Sequence, residues 1–170
     1  MFHTARNFAV IATVLVSPVV LAQAQSFGQD AGQVPYTAAS LEGEFAFVET
    51  YAAHVAQAQG VYRFDGKGNF SALALINQPS SSGERVVVSV PATGPYTVNP
   101  DGTGTLVLNV TRPDGGISTV TQDLLITKAI PQQGEKVATE WVSMQREPSA
   151  IVGGAAFVTS VATRRPDGSP

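Results

Sequence analysis

Residues 56–77 read AQAQGVYRFDGKGNFSALALIN. Two strand-like runs, Ala56–Phe64 and Asn69–Asn77, flank the tetrad Asp65-Gly66-Lys67-Gly68. Glycine adopts φ > 0 without a steric penalty, and aspartate can accept hydrogen bonds from the backbone just ahead of it. A short hairpin loop needs both. Within the first run Tyr62 and Phe64 share one face while Val61 and Arg63 share the other, the period of two expected of a strand. The stretch predicts an antiparallel hairpin.

The same chemistry recurs outward from it. Pro100-Asp101-Gly102 and Pro113-Asp114-Gly115-Gly116 are turn signals of the same kind. The remaining runs are Gly43–Tyr51, Glu84–Val90, Gly94–Val98, Gly104–Thr111, Ile117–Lys128, Lys136–Arg146 and Gly154–Arg164. Only Thr50–Gln59, rich in Ala and Gln, offers a helical alternative, and the strand reading keeps the hairpin succession simpler. Seven to nine strands joined by short turns make a barrel or a sandwich. A sandwich would want a long crossover link, and none is visible between Gly60 and Thr127. Closure also removes exposed strand edges. The expected fold is all-β, a single antiparallel up-and-down β-barrel of about eight strands, calycin-like.

Hydrophobic residues make up 44% of the 170 and charged residues 14%, which argues against disorder. The net charge is −3 with no basic run, so nucleic acid is not an expected partner. Residues 1–24 read as a signal peptide: His3 and Arg6, an apolar run Phe8–Leu21, then Ala22-Gln23-Ala24 as a small-x-small cleavage pattern. The run contains Pro18 and is too short to span a bilayer, so no membrane association is expected after cleavage. The expected location is secreted or periplasmic. Residues 25–40 read as an extended arm with Tyr36 docked on the domain, 41–165 as the barrel and 166–170 as a loose tail.

With no cysteine and two histidines, one of them in the leader, thiol chemistry and a zinc site are excluded. His54 reads as a surface or loop residue. No nucleophile elbow, phosphate loop or dinucleotide fingerprint occurs, and no cofactor or metal is expected. Any chemistry must rest on carboxylates, tyrosines, arginines or backbone groups.

Alternation singles out one carboxylate. Phe45, Phe47, Glu49 and Tyr51 share a face opposite Ala46, Val48 and Thr50. If the aromatic face points into the barrel, Glu49 points in with it, and a carboxyl in an apolar lumen has the raised pKa that a general acid or base needs. The plainer alternative puts Glu49 at the rim, solvated or paired with an arginine. On the same logic the ligand-contact candidates are Phe45, Phe47, Glu49, Tyr62, Tyr96 and Trp141, with Trp141 read first as a core residue. Trp141 is expected to share its face with Val137, Thr139 and Ser143. Thr119, Thr121 and Asp123 should face outward, opposite Val120, Gln122, Leu124 and Ile126. Small residues such as Ala72 and Ala74 would leave room inside.

The strings Gly60–Asn69 (GVYRFDGKGN) and Gly94–Gly104 (GPYTVNPDGTG) resemble a group of small exported bacterial proteins. Their successive hairpins carry G-x-Y/F-x-F-D-G-x-G-N and G-x-Y-x-V-N-x-D-G-T-G, and Leu41–Phe47 (LEGEFAF) is similar to their L-x-G-x-Y-x-F opening. The likeness covers most of Leu41–Thr163. The barrel of that group is similar to those of allene oxide cyclases and dirigent proteins, which implies an apolar cavity for a lipid-like or phenolic molecule. No string here matches the functional residues of either family.

Three functions fit. The first is a barrel that binds a small apolar or aromatic molecule in its lumen. The second is a cavity enzyme of cyclase or isomerase type, with Glu49 as acid or base and Tyr62 or Tyr96 orienting the substrate. The third is a surface or matrix protein acting by protein contact. A lumen pocket of about 300 Å³ or more separates the first two from the third.

Overall fold

A computed structural model describes residues 34–52, 56–112, 114–147 and 157–166. The leader, His54, most of the arm and the tail lie outside the described residues. Eight antiparallel strands form a closed barrel in which each strand pairs with its sequence neighbour and β1 pairs with β8. They are β1 Gly43–Ala52, β2 Gln57–Phe64, β3 Asn69–Pro79, β4 Arg85–Val98, β5 Thr103–Thr111, β6 Ile117–Gln132, β7 Glu135–Gln145 and β8 Phe157–Arg164.

The Asp/Gly turns make their own loops. The Asp65 carboxylate accepts from Lys67 N at 2.7 Å and Asn69 N at 2.9 Å. Asp101 accepts from Thr103 N at 3.0 Å and Asp114 from Gly116 N at 2.9 Å, the same two-on bond each time. These bonds, and at Asp101 first the Thr103 hydroxyl donating at 2.7 Å, hold the Asp65, Asp101 and Asp114 carboxyls below the usual aspartate range.

Two sequence expectations need correction. Glu84–Val90 and Gly94–Val98 are one 14-residue strand, β4, running through Pro91. The proline is tolerated because pairing with β5 starts only at Ala92, so the stretch before it is an edge on that side. On β7 the inward phase does not run from Trp141 through Thr139 to Val137. The β6–β7 register slips between Ile126, Lys128 and Ala129, and Ala138 takes the buried position instead. Strand structure also occupies 50–52 and 57–59 of the stretch Thr50–Gln59.

Barrel closure gives two ends of different character. At the end carrying the 65–68, 99–102 and 133–134 turns, a short 3-10 helix η1, Ala38–Leu41, lies across the opening. Leu41 is fully buried there. The Tyr96 hydroxyl donates to Ala38 O at 2.8 Å. Arg164 donates through Nε to Ala138 O at 2.7 Å and stacks 4.7 Å from the Phe45 ring. Ahead of η1, Tyr36 is docked through Tyr36 N to Pro100 O at 3.2 Å, with Lys136 Nζ 4.5 Å from its ring. Behind this plug the lumen is filled by rings. Phe64 lies edge-on to Phe45, Tyr96 and Trp141 at 5.7, 4.9 and 6.0 Å, and Phe70 stands 5.7 Å away. Such edge-to-face contacts add to the area these rings bury.

Candidate functional site

The other half of the lumen is built from smaller residues. Every strand contributes to its wall: Phe47, Glu49 and Tyr51 from β1, Tyr62 from β2, Ala72, Ala74 and Ile76 from β3, and Val90 and Ala92 from β4. Leu108 and Val110 follow from β5, Val120 and Gln122 from β6, Gln145 from β7 and Val158 from β8. The cavity they leave has a volume of about 50 Å³. It falls below the 300 Å³ set by the sequence reading, because rings fill the plugged half. It still has room for a small head group, since about 10–15 Å³ is enough to admit one water.

Glu49 stands on this wall with 6% of its surface exposed. Ser160 Oγ donates to its Oε1 at 2.8 Å and the Tyr62 hydroxyl to the same oxygen at 3.4 Å. The Tyr51 hydroxyl donates to Oε2 at 3.2 Å. None of the ion pairs among the described residues involves Glu49. Burial without a cation pushes its carboxyl above the usual glutamate range, against the opposing pull of the hydroxyl donors. Burial and the neighbouring acid likewise raise Tyr51 and Tyr62, so both phenols stay protonated donors. The rim alternative, with Glu49 solvated or held by an arginine, is not what the structure has.

Further polar groups adjoin it. Ser143 Oγ donates to Gln122 Oε1 at 2.7 Å, and both residues are buried. The Gln145 side-chain nitrogen donates to Glu147 O, which leaves Gln145 Oε1 buried with no partner among the described residues. Trp141 Nε1 is the other such atom.

Of the six ligand-contact candidates, Phe47, Glu49 and Tyr62 line the cavity. Phe45, Tyr96 and Trp141 do not. They are buried in the ring-filled half, and Tyr96, whose phenol burial pushes up to about 12, holds the plug. Sequence reasoning missed Ser160, Ser143, Gln122 and Gln145. The available signal was polar residues in inward phase, Gln122 between Val120 and Leu124 and Ser143 beside Trp141. Thr119 and Asp123 face outward as expected, with Asp123 ion-paired to Arg146. A depression of about 280 Å³ on the outer wall, bordered by Val48, Gln59, Leu75 and Val87, has no titratable lining residue.

No family model and no curated protein matches the chain. Among solved structures it is similar to a redesigned β-barrel, b11L5F_LGL, at 15% identity and a TM-score of 0.51, covering 76% of this chain and 95% of that one. EF1p2_mFAP2b bound to DFHBI matches at 18% identity and a TM-score of 0.43, over 74% of this chain and 94% of that one. The first likeness supports a small β-barrel fold. Neither of these structures supports a likeness to allene oxide cyclases or dirigent proteins.

Proposed function

We propose that this protein is an exported barrel, secreted or periplasmic, that binds a small, largely apolar molecule in the unplugged half of its lumen. One observation carries the reading: the lumen is divided. Rings and η1 seal one end, while Ala72, Ala74, Val90 and Ala92 thin the wall at the other around a buried, hydrogen-bonded Glu49. An apolar cup with one convergent polar group is the common form of a small-molecule site. The cavity volume of about 50 Å³ favours a compact molecule or head group. The leader, 1–24, and the barrel, 41–165, are the segments this reading assigns. Native mass spectrometry of protein purified from its own host tests it. A co-purifying small molecule is expected, and persistent apo protein with no thermal shift across a panel of small apolar compounds would overturn it.

A second reading has its own support in the contact of Glu49 with Tyr51 and Tyr62 at the cavity. In a cavity isomerase Glu49 would take a proton from one carbon and return it to another, with the phenols orienting the substrate. Tyr96 drops out of this scheme because it lies at the plugged end. Exchange of a substrate C–H with solvent deuterium, lost in Glu49→Gln, would mark the enzyme.

A further inference from the structure

The buried polar side chains of the cavity wall are unequal in kind. Glu49 presents carboxyl oxygens, and the donors around it, three hydroxyls and the Gln122 amide, are already spent on those oxygens. Gln145 lines the same cavity, its amide nitrogen engaged by Glu147 O and its Oε1 unpartnered among the described residues. Because the nitrogen is committed to a carbonyl, the free atom is the acceptor. Gln122 Oε1, also at the wall, is an acceptor as well and takes the Ser143 hydroxyl. The site therefore offers acceptors and asks for a donor.

Charge points the same way. A carboxylate accepts at about four lone-pair positions and donates nowhere, and three hydroxyls converge on this one. That donor set is ready for the ionised acid, but no ion pair among the described residues supplies the cation that would hold it ionised. The wall beside it carries the rings of Phe47, Tyr51 and Tyr62. Aromatic rings attract cations, more strongly where water is excluded.

Resting on the lumenal-binding reading, we propose that the occupant is a compact organic cation, an alkylammonium whose charged head sits between Glu49 and Gln145 and whose short aliphatic part lies along Ala74, Val90 and Ala92. The titratable groups facing Glu49 are Tyr51 and Tyr62, both held protonated, so the proton balance falls on the acid itself. Binding replaces the proton of a neutral Glu49 by the ammonium: the O–H bond breaks, the proton leaves to solvent, and the carboxylate keeps the electron pair as the acceptor of the N–H donors.

The test is an NMR titration near neutral pH of carboxyl-labelled protein, with isobutylammonium and its neutral counterpart isobutanol, on the wild type and Glu49→Gln. Isobutylammonium is expected to bind at least about tenfold more tightly than isobutanol. The Glu49 carboxyl resonance should move to its ionised position on binding, and the preference should vanish in Glu49→Gln. If that variant fails to fold, the carboxyl resonance of the wild type decides. Equal binding of the two probes, or a Glu49 that stays protonated in the complex, would overturn the cation while leaving lumenal binding intact. If neither probe binds and no co-purifying molecule is found, both readings fall.

Discussion

Glu49 and Ser160 stand directly opposite each other across the seam where the first and last strands close the barrel, and the Ser160 hydroxyl donates to Glu49 Oε1 at 2.8 Å. The candidate site thus straddles the one strand pairing that joins the two ends of the meander. On the outside of the same seam Val48 faces Val161. Closure sets the inner polar pair and the outer apolar pair with a single register, and a one-residue slip would exchange them.

The pH dependence of stability should change sign of slope on either side of mild acidity. Glu49 is an acid whose folded-state pKa lies above its ordinary value of 4.5, so its contribution is complete below that value and is lost as pH rises through the raised one. Asp65, Asp101 and Asp123 are held low, so theirs is present above the ordinary aspartate value and is lost as pH falls through the depressed one. Glu49→Gln should flatten the alkaline loss and leave the acid limb intact in urea unfolding series across about pH 3 to 9.

Gly94→Ala should be among the most damaging single-methyl changes in the chain. A Cβ there would stand 1.8 Å from Val107 O, a backbone atom of the neighbouring strand that cannot rotate away. A cost of about 3 kcal/mol or more is expected in chemical denaturation, the upper end for overpacking. Gly83→Ala meets nothing within 4 Å and carries only the strain of φ +85, about 1 kcal/mol.

Ala92→Leu should empty the site of function without dismantling the barrel. Ala92 is buried on the cavity wall, and the added carbons would occupy the 50 Å³ cavity. Loss of any thermal shift by small ligands is expected, with a stability cost of about 1–3 kcal/mol from overpacking. Retained binding would move the site elsewhere.

Tyr96→Phe should loosen the plug selectively. It removes the hydroxyl that donates to Ala38 O, a bond of the usual net value of about 0.5–1.5 kcal/mol. Faster proteolysis ahead of Leu41, with little change in the barrel's own unfolding midpoint, is the expected pattern.

The fold was legible in the turns. Asp65, Asp101 and Asp114 each make a bond two residues ahead, a property of local sequence that needs no tertiary context. The inward phase of Glu49 was equally legible, since alternation from Phe45 to Tyr51 is unbroken. What alternation could not convey was depth. Phe47 and Phe45 share a face, yet one borders the cavity and the other is packed among Phe64, Trp141 and Arg164, and that depends on where each falls along the barrel axis. Pairing between strands far apart in sequence sets that depth, and so Ser160, 111 residues from Glu49, was invisible as its partner. The β6–β7 slip escaped for the same reason: a register irregularity belongs to two strands at once.

The plug at η1 makes the barrel a vessel with a floor, and this divides the work of natural selection between its ends. Changes at Leu41, Tyr96 or Arg164 act on the plug, since all three belong to the closed end. Changes at Ala74, Ala92 or Val110 act on the shape of the cup. Barrels descended from a common ancestor with this one would keep their floor and diversify their brim, so that the closed end records ancestry while the open end records diet.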